Sequence, residues 1–549
     1  MFRPRTGSRF ARGAAFQVAV SLALAAAAPS CFTSSEGLEP PPDKLYFPTG
    51  VALSPGQTTL FVASSDFDLQ FNGGSVAALN LDDAGDTRGV RTMAQQVAVA
   101  VASGAPLADA CGGIGAEPNT EEFLYPGPCV AIDVAPFVRA SATVGAFASS
   151  ATVVTRPDAP GARLFVPVRG DPSVTWFDIV DDRDPAAPSS PCGDSFCLSC
   201  AGDGEELRCG PSHRAGELAY DNPRGLVLPV EPIGIAAEPD GEALVVAHQS
   251  TSTASLLVNR WGGGAVRPTL QHVIPELPEG PTGIAAVPVP GLVRASRGED
   301  GAQTIDYAPE FLVSHSLATQ LTLLRYEDDA RSQPPRPFLT RADATSAGLG
   351  ADGTDSRGVA VDGQERAVCE ADCGTDLTCL ELCLDIPLRV YVANRTPTSL
   401  LVGRIESEVA RTDGVVTGVS DQVRIDEIVP IGFGASNVVL GDVVGLDGAL
   451  ERRVFVVAFD SRFVFSYDPR LRMVDGQIRT GRGPHGVVVA ARTDPATGET
   501  SSFMYIAHFT DSYLGVVDLD MRRSGLGADS SYQVMVLSLG PPVPPRESQ

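Results

Sequence analysis

Histidine and asparagine side chains recur at one position of the sequence pattern. His248, His315 and His508 each follow directly after four apolar or small residues, and Asn394 follows a similar tetrapeptide. Imidazole binds metal ions and ligands and exchanges a proton near neutral pH. These four residues, together with His485 in a glycine-containing segment, are therefore ligand-binding candidates. Imidazole and amide groups can equally satisfy turn and backbone groups by hydrogen bonding, and this alternative stays open.

Cysteine pairing is the second chemistry that the sequence offers. The eleven cysteines are Cys31, Cys111, Cys129, Cys192, Cys197, Cys200, Cys209, Cys369, Cys373, Cys379 and Cys383. Without Cys31 the number is even, which suits five disulfides in an oxidising compartment. The last four form two pairs at i, i+4 spacing, which predicts two short helices cross-braced as Cys369–Cys383 and Cys373–Cys379. A zinc site is the alternative for this cluster.

The other six cysteines after Cys31 also predict disulfides within loops. The cluster at residues 192–209 predicts two local disulfides, although Cys197 and Cys200 have the spacing of redox and metal motifs. Cys111 and Cys129 are expected to close one surface loop.

An acidic loop is the main calcium candidate, and Asp352-Gly353-Thr354-Asp355 carries the same ambiguity. Asp66, Asp68 and Asn72 supply the hard oxygens that calcium prefers, so calcium is the one cofactor considered. An Asx-rich turn explains the same residues. The motifs of serine hydrolases, zinc proteases, phosphate-binding loops and EF-hands are missing from the sequence. No catalytic residue is therefore assigned.

The elements that must position these residues form a repeat. A glycine-containing opener lies at residues 47–52, 232–236, 281–285, 357–360 and 484–487, with degraded versions at 147–154 and 434–440. A β-rich run follows each opener, at 60–63, 164–167, 244–247, 311–314, 390–393, 455–458 and 504–507. A second run follows after a turn, at 75–81, 173–179, 255–258, 321–326, 399–405, 463–467 and 513–519. Each unit reads as consecutive strands bounded by turn residues.

The repeat resembles that of YVTN-type β-propellers. The best matches are Val390-Tyr391-Val392-Ala393-Asn394 and Leu514-Gly515-Val516-Val517-Asp518-Leu519. The resemblance covers residues 44–540 and implies an all-β, seven-bladed β-propeller with disulfide-rich loop insertions at about 103–130, 183–222 and 363–386, the last a small helical hairpin. In that topology the histidine position and His485 lie toward one rim. Closure is expected to pair a strand from one terminus, at 45–47 or 534–537, into a blade built by the other.

The N-terminus predicts export. Residues 1–30 combine a basic start with a short alanine-rich apolar run, which is typical of a signal peptide. The end of this segment, Ala28-Pro29-Ser30-Cys31, resembles a bacterial lipobox and implies a lipid on Cys31. Residues 31–43 then form a flexible linker, and residues 541–549 a C-terminal tail. Phe32 favours the outer membrane of a Gram-negative envelope, with the periplasm or the cell surface as the compartment.

The net charge and the repeat together limit the functions that the sequence allows. A net charge of -26 argues against nucleic acid as a partner and against binding flat on anionic lipid. Propellers host many unrelated activities, so the fold does not name one. We predict a non-enzymatic envelope lipoprotein that binds a small ligand or an envelope protein. The alternatives are a lactonase- or hydrolase-type enzyme with a metal at the central channel, and a passive surface protein.

Overall fold

The computed structural model describes residues 37–540 except for several loop segments. These segments are 84–87, 121–124, 158, 185–186, 193–195, 201–207, 262–266, 298–303, 329–335, 348–353, 495–497 and 526–529. The predicted signal peptide, the lipidation candidate Cys31 and the C-terminal tail lie outside the described residues. No helix in the described part of the chain is long and apolar enough to cross a membrane.

Seven four-stranded antiparallel sheets make up the described chain, so the protein is a seven-bladed β-propeller. Blades 1 and 2 contain β1 (Pro48–Leu53), β2 (Thr59–Ser64), β3 (Ser75–Asn80), β4 (Val138–Thr143), β5 (Thr152–Thr155), β6 (Ala162–Val168), β7 (Ser173–Ile179) and β8 (Arg214–Ala215). Blades 3 and 4 contain β9 (Pro232–Ala237), β10 (Ala243–His248), β11 (Thr253–Val258), β12 (Thr269–Ile274), β13 (Pro281–Ala286), β14 (Glu310–His315), β15 (Gln320–Glu327) and β16 (Phe338–Ser346). Blades 5 to 7 contain β17 (Thr354–Asp362), β18 (Leu388–Thr396), β19 (Thr398–Thr412), β20 (Val415–Pro430), β21 (Ala435–Val444), β22 (Leu450–Ala458), β23 (Phe463–Asp468), β24 (Met473–Arg479), β25 (Pro484–Thr493), β26 (Thr500–His508), β27 (Tyr513–Asp518) and β28 (Met535–Leu539).

The first strand of each blade lies next to the axis of the ring. First strands of successive blades contact one another around the whole ring, including β25 with β1. An apolar cluster fills each interface between neighbouring blades. The second and third strands are buried on both faces for this reason, which is why they read as apolar runs in the sequence.

Glycine in the first strands permits close packing at the axis. A Cβ atom on Gly283 would lie 2.0 Å from the carbonyl oxygen of Arg357, and one on Gly486 would lie 2.4 Å from that of Thr49. Both oxygens belong to the first strand of the next blade. The equivalent glycines Gly50, Gly234 and Gly358 meet the next blade in the same way. The glycine of the opener is therefore a requirement of blade packing.

The ring closes without strand exchange, so the predicted closure is wrong. Each sheet consists of four strands that are consecutive in the chain, and residues 45–47 precede β1 without joining a sheet. Strand β28 pairs with β27 of its own blade and adds only one bridge, between Ile132 and Leu539, to the blade 1 side. Closure rests instead on the apolar cluster that blades 1 and 7 share.

The helices lie in loop insertions. They are α1 (Val90–Ala102), α2 (Leu107–Gly112), α3 (Gly291–Ala295), α4 (Gln364–Cys373) and α5 (Leu377–Cys383), with 3₁₀ turns at Ala135–Phe137, Pro211–His213, Ala219–Asp221 and Met521–Arg523. The predicted helical hairpin is confirmed as α4 and α5, with disulfides Cys369–Cys383 and Cys373–Cys379. Disulfides Cys111–Cys129, Cys192–Cys197 and Cys200–Cys209 complete the five.

The first insertion begins earlier than predicted. It connects β3 to β4 and includes α1, which lies before residue 103, the expected start. Val90, Met93, Ala94, Val97 and Val101 of α1 are buried against the cluster of blades 1 and 7. Their spacing is that of one face of an amphipathic helix. The helix therefore covers the outer end of the ring-closing interface.

Candidate functional site

The His/Asn position comprises His248, His315, Asn394 and His508, and all four side chains are fully buried. His248 Nε2 lies 2.8 Å from the hydroxyl of Ser255, and His315 Nε2 lies 2.9 Å from that of Thr322. In both blades the hydroxyl belongs to the third strand, so the imidazole links two strands of its own blade.

The other two members make hydrogen bonds of the same kind. Asn394 donates from Nδ2 to the carbonyl oxygen of Pro397 at 2.6 Å and accepts from the hydroxyl of Ser356 at 3.0 Å. His508 Nε2 accepts from the backbone N–H of Gly481 at 3.2 Å. The geometry of all four therefore matches the structural alternative, in which these groups satisfy turns and neighbouring strands.

Burial keeps these imidazoles neutral. It lowers the pKa of His248 and of His315 to about 4, and that of His508 to about 3. Burial disfavours a charged imidazolium because the interior solvates it poorly. At neutral pH the three rings are uncharged hydrogen-bonding groups.

The residue after the His/Asn position is the one that reaches the rim. We define the mouth face as the face where each first strand begins and each second strand ends. At this next position the seven blades carry Ser65, Arg169, Gln249, Ser316, Arg395, Phe459 and Phe509. Five of them, all but Gln249 and Ser316, line one cavity on the mouth face. The predicted residues lie on the face that holds this cavity, but His248, His315, Asn394 and His508 are not part of its lining.

This mouth cavity has a volume of about 270 Å³. Its lining comprises Thr49, Ser65, Phe67, Phe147, Ala148, Ser149, Arg169, Ile233, Arg357, Arg395, Ser436, Phe459, His485 and Phe509. Six blades contribute to it, and it lies over the axis of the ring. Of the residues predicted from the sequence, only His485 is part of this lining.

Aromatic rings form a continuous arc around part of the mouth. Phe67 lies edge-on to Phe147 at 5.9 Å and to Phe509 at 5.1 Å between ring centroids. Phe509 is 6.4 Å from Phe459 and 6.3 Å from the ring of His485. The arc runs from blade 6 through blades 7 and 1 to blade 2. Phe67 is 53% exposed, so this aromatic surface is open to solvent.

Three arginines complete the lining, and each is held by a carboxylate. Arg169 pairs with Glu231, Arg357 with Asp355, and Arg395 with Asp460. Such pairing fixes the direction of a guanidinium group. The three carboxylates are not part of the cavity lining in the described chain, so the cavity faces the guanidinium groups themselves.

Below the mouth the axis of the ring is a channel of about 290 Å³, lined by polar and apolar groups in similar measure. It shares Thr49, Ser149, Ile233, Arg357, Ser436 and His485 with the mouth cavity. His485 Nδ1 donates to the carbonyl oxygen of Thr49 at 2.8 Å. Burial lowers the pKa of His485, and the positive charges of Arg169 and Arg357 lower it further. His485 is therefore a neutral, oriented ring between channel and mouth.

A backbone feature recurs where the first strands begin. Each second strand has a residue equivalent to the His/Asn position, and this residue pairs with one near the start of the first strand. In every blade, the residue just before that first-strand partner has a positive φ. Blades 4, 6 and 7 place glycine there, as this conformation favours: Gly280, Gly434 and Gly483. The other four blades place Phe47 (φ 52°), Phe147 (φ 62°), Glu231 (φ 57°) and Asp355 (φ 80°) there.

All four non-glycine residues belong to the construction of the mouth. Phe147 lines the cavity, and Phe47 packs on the arc at 5.3 Å from Phe509. Glu231 and Asp355 hold the lining arginines Arg169 and Arg357. A left-handed conformation strains an ordinary L residue, so these side chains are kept at a conformational cost.

The calcium candidates lie at the edge of this face and are bonded to protein groups. The buried carboxylate of Asp66 accepts from the backbone N–H of Phe71 at 3.2 Å. Burial raises its pKa to about 7. Asp68 accepts from the backbone N–H of Gln70 at 3.2 Å, as in an Asx turn. It also accepts from the hydroxyl of Tyr46 at 2.5 Å.

The third candidate, Asn72, is likewise engaged. It donates to Glu39 and accepts from Arg208, both at 2.6 Å. Among the described residues one group of three or more His, Cys, Asp or Glu has ligand atoms within 4.8 Å of one another, and it is Cys369, Cys373 and Cys383. These sulfurs are in disulfides, so the zinc alternative for this cluster is not supported.

Among known proteins, similarity was found only to solved structures. No protein-family model and no curated protein matches the sequence. A protein from Lactobacillus plantarum is similar over 80% of this chain and 86% of its own, with 12% identity and a TM-score of 0.39. Periplasmic gluconolactonase from Pseudomonas aeruginosa is 15% identical over 79% of this chain and 86% of its own, with a TM-score of 0.39. Kuenenia stuttgartiensis hydrazine synthase is 12% identical over 88% and 98%, with a TM-score of 0.41. No functional inference is taken from similarities at this level.

Proposed function

We propose that this propeller is a non-enzymatic binding module of a bacterial cell envelope, tethered by a lipid on Cys31, and that its ligand binds in the mouth cavity. The observation that carries the proposal is the set of four strained residues at the mouth. Glycine adopts this conformation without strain and fills the same position in blades 4, 6 and 7, whereas Phe47, Phe147, Glu231 and Asp355 do so at a conformational cost. Other non-glycine residues with a positive φ occur in turns elsewhere in the described chain, but these four share one position of the repeat. Each of them contacts the mouth or holds one of its arginines, and strain retained in this way points to a functional site.

The chemistry of the cavity supports binding over turnover. The lining joins aromatic rings to a few fixed polar groups, which is the usual composition of a small-molecule site. Its titratable members are three arginines and the neutral His485, and the described lining has no carboxylate that could act as a general base or metal ligand. The experiment must therefore distinguish ligand binding alone from turnover by the enzymatic alternative.

The test is a blocked cavity. Ser436 lines both the mouth cavity and the channel, so Ser436→Trp places a large ring in the space where the ligand is proposed to bind. Ser103→Trp is the matched control, because Ser103 is exposed at the end of α1 in the first insertion. We expect fragments found by ligand-observed NMR to bind the native protein and the control but not Ser436→Trp.

Two results would overturn the proposal. One is a fragment set that binds Ser436→Trp as well as it binds the native protein. The other is turnover of lactones or esters in the same mixtures that disappears in Ser436→Trp, which would favour the hydrolase alternative. The envelope tether has its own measurement: the mass of the mature N-terminus should show an acylated Cys31, and Cys31→Ala should release the protein from membranes.

A further inference from the structure

The charged side chains that line the mouth cavity have the opposite sign to the net charge of the chain. The protein carries a net charge of -26, whereas the charged side chains that line the mouth cavity are Arg169, Arg357 and Arg395. A cleft lined by one sign of charge raises the local concentration of ligands of the other sign. The mouth therefore presents guanidinium donors on an acidic molecule, although a carboxylate outside the lining pairs with each of the three.

These arginines keep donors that their partners do not use. A guanidinium group has five N–H donors in a fixed fork. Arg395 uses one nitrogen, Nη2, for Asp460, and Arg357 uses Nε and Nη2 for Asp355. The Nε of Arg169 is buried and has no hydrogen-bond partner among the described residues. The hydroxyl of Ser65, also in the lining, is buried and unpartnered in the same way.

An unpartnered buried donor is unfavourable unless a ligand satisfies it. Arg169 and Ser65 lie at the same position of adjacent blades, directly after their second strands. Both therefore reach the cavity from the side on which Phe67 and Phe147 also lie. A ligand that met these donors with oxygen acceptors would rest its remaining atoms on the aromatic arc.

We infer that the mouth cavity binds a small organic anion, a carboxylate or sulfonate on an aromatic or apolar body. The inference rests on the proposed binding function and assigns its ligand class. The guanidinium groups and the Ser65 hydroxyl bind the oxygens of the anion by charge-assisted hydrogen bonds. The arc from Phe147 to Phe459 packs on the body, edge to face, as aromatic rings prefer.

A pair of fluorescent probes distinguishes recognition of the anionic group from packing on the aromatic arc. 1-Anilinonaphthalene-8-sulfonate and N-phenyl-1-naphthylamine have the same rings, but only the first carries a sulfonate. We expect the sulfonate probe to bind the native protein at least tenfold more tightly than the neutral probe. A tenfold ratio corresponds to about 1.4 kcal/mol, which is the scale of a single charge-assisted hydrogen bond.

Arginine variants locate the charge recognition. Arg395→Met keeps an unbranched side chain, and we expect it to lower the sulfonate-to-neutral affinity ratio about tenfold while neutral-probe binding stays the same. Arg169→Met should act in the same direction. The control is Arg260→Met, because Arg260 forms an ordinary exposed ion pair with Glu242 at 3.4 Å, away from the mouth.

The possible failures are distinguishable. Equal affinity for both probes, or an affinity ratio that Arg395→Met and Arg169→Met leave unchanged, would overturn the anionic ligand class while the binding function stands. Binding of both probes to Ser436→Trp with native affinity would instead overturn the proposed function itself.

Discussion

A neutral imidazole at the His/Asn position stabilises the fold only while it remains neutral. The folded pKa values of His248 and His315, about 4, lie below the value of about 6.5 in an unfolded chain. The stability that each histidine contributes is therefore present above pH 6.5 and is lost as the pH falls toward 4. From the two pKa values, each should account for a loss of about 2 kcal/mol between pH 7 and pH 5.

The chain itself suggests the variant that removes this titration. Asn394 occupies the same position in blade 5, so His248→Asn and His315→Asn should preserve a hydrogen-bonding side chain there. We expect the free energy of unfolding, measured in urea, to fall less between pH 7 and pH 5 in the double variant than in the native protein. An identical pH dependence would show that these histidines titrate normally.

Buried carboxyl groups act in the opposite sense and remain in both proteins. Burial raises the pKa of Asp66 to about 7 and that of Glu310 to about 8. Their contribution is fully present below the unfolded pKa and is lost as the pH rises through these values. Because both groups are unchanged in the variant, they cancel when the two pH profiles are subtracted.

At the scale of the residue, the sequence predicted which residues end the second strands. It did not predict which neighbouring side chain faces the mouth. The periodicity placed His248, His315 and His508 correctly at the end of the second strand. Successive residues of a strand point to opposite sides, so one residue separates a buried imidazole from a lining residue such as Arg395 or Phe509. The pairing register that decides between them is a property of the folded sheet.

At the scale of the element, the start of each first strand is a turn with one left-handed residue. Glu231, at φ 57°, shows the expected effect most simply because its side chain is only partly buried. Glu231→Gly and Glu231→Ala both remove the partner of Arg169. The glycine variant should nevertheless be the more stable by about 1 kcal/mol, because alanine retains the Cβ that disfavours this conformation.

Chemical denaturation of the two variants measures this difference directly. Glu279 supplies the control, since it is exposed, does not have a positive φ and lies beside the equivalent turn of blade 4. There alanine should be the more stable replacement, by about 0.4–1 kcal/mol, because glycine has more freedom in the unfolded chain. Equal stability of the Glu231 pair would mean that the backbone at the mouth is unstrained.

Elements buried on both faces were predictable, and elements buried on one face were not. All second and third strands appeared as apolar runs in the sequence. The fourth strands, such as β20 and β24, alternate between exposed and partly buried residues and leave no such run. Helix α1 did leave an amphipathic pattern, with Val90, Val97 and Val101 on its buried face, but the predicted insertion began only after this helix. The insertion was therefore placed too late.

At the scale of the whole molecule, the interface between blades 7 and 1 differs from the other six. Every other pair of neighbouring blades is joined by a connecting segment of chain, whereas blades 7 and 1 contain the two ends of the propeller. Packing holds this interface together: the shared apolar cluster, the contact of Gly486 with Thr49, and Asp82, which pairs with both Arg91 and Arg492. Opening of the ring should therefore begin here.

Gly486→Ala tests this view of closure. The added Cβ would lie 2.4 Å from the carbonyl oxygen of Thr49, so the two first strands must separate, at about 1–3 kcal/mol. We expect hydrogen exchange to accelerate in β1–β3 and β25–β27 while blades 3 to 5 stay protected. Gly112→Ala is the control, because a Cβ there meets no atom within 4 Å. It should change neither the free energy of unfolding nor the hydrogen exchange of these strands. A uniform rise in exchange over all blades would mean instead that the ring opens only by global unfolding.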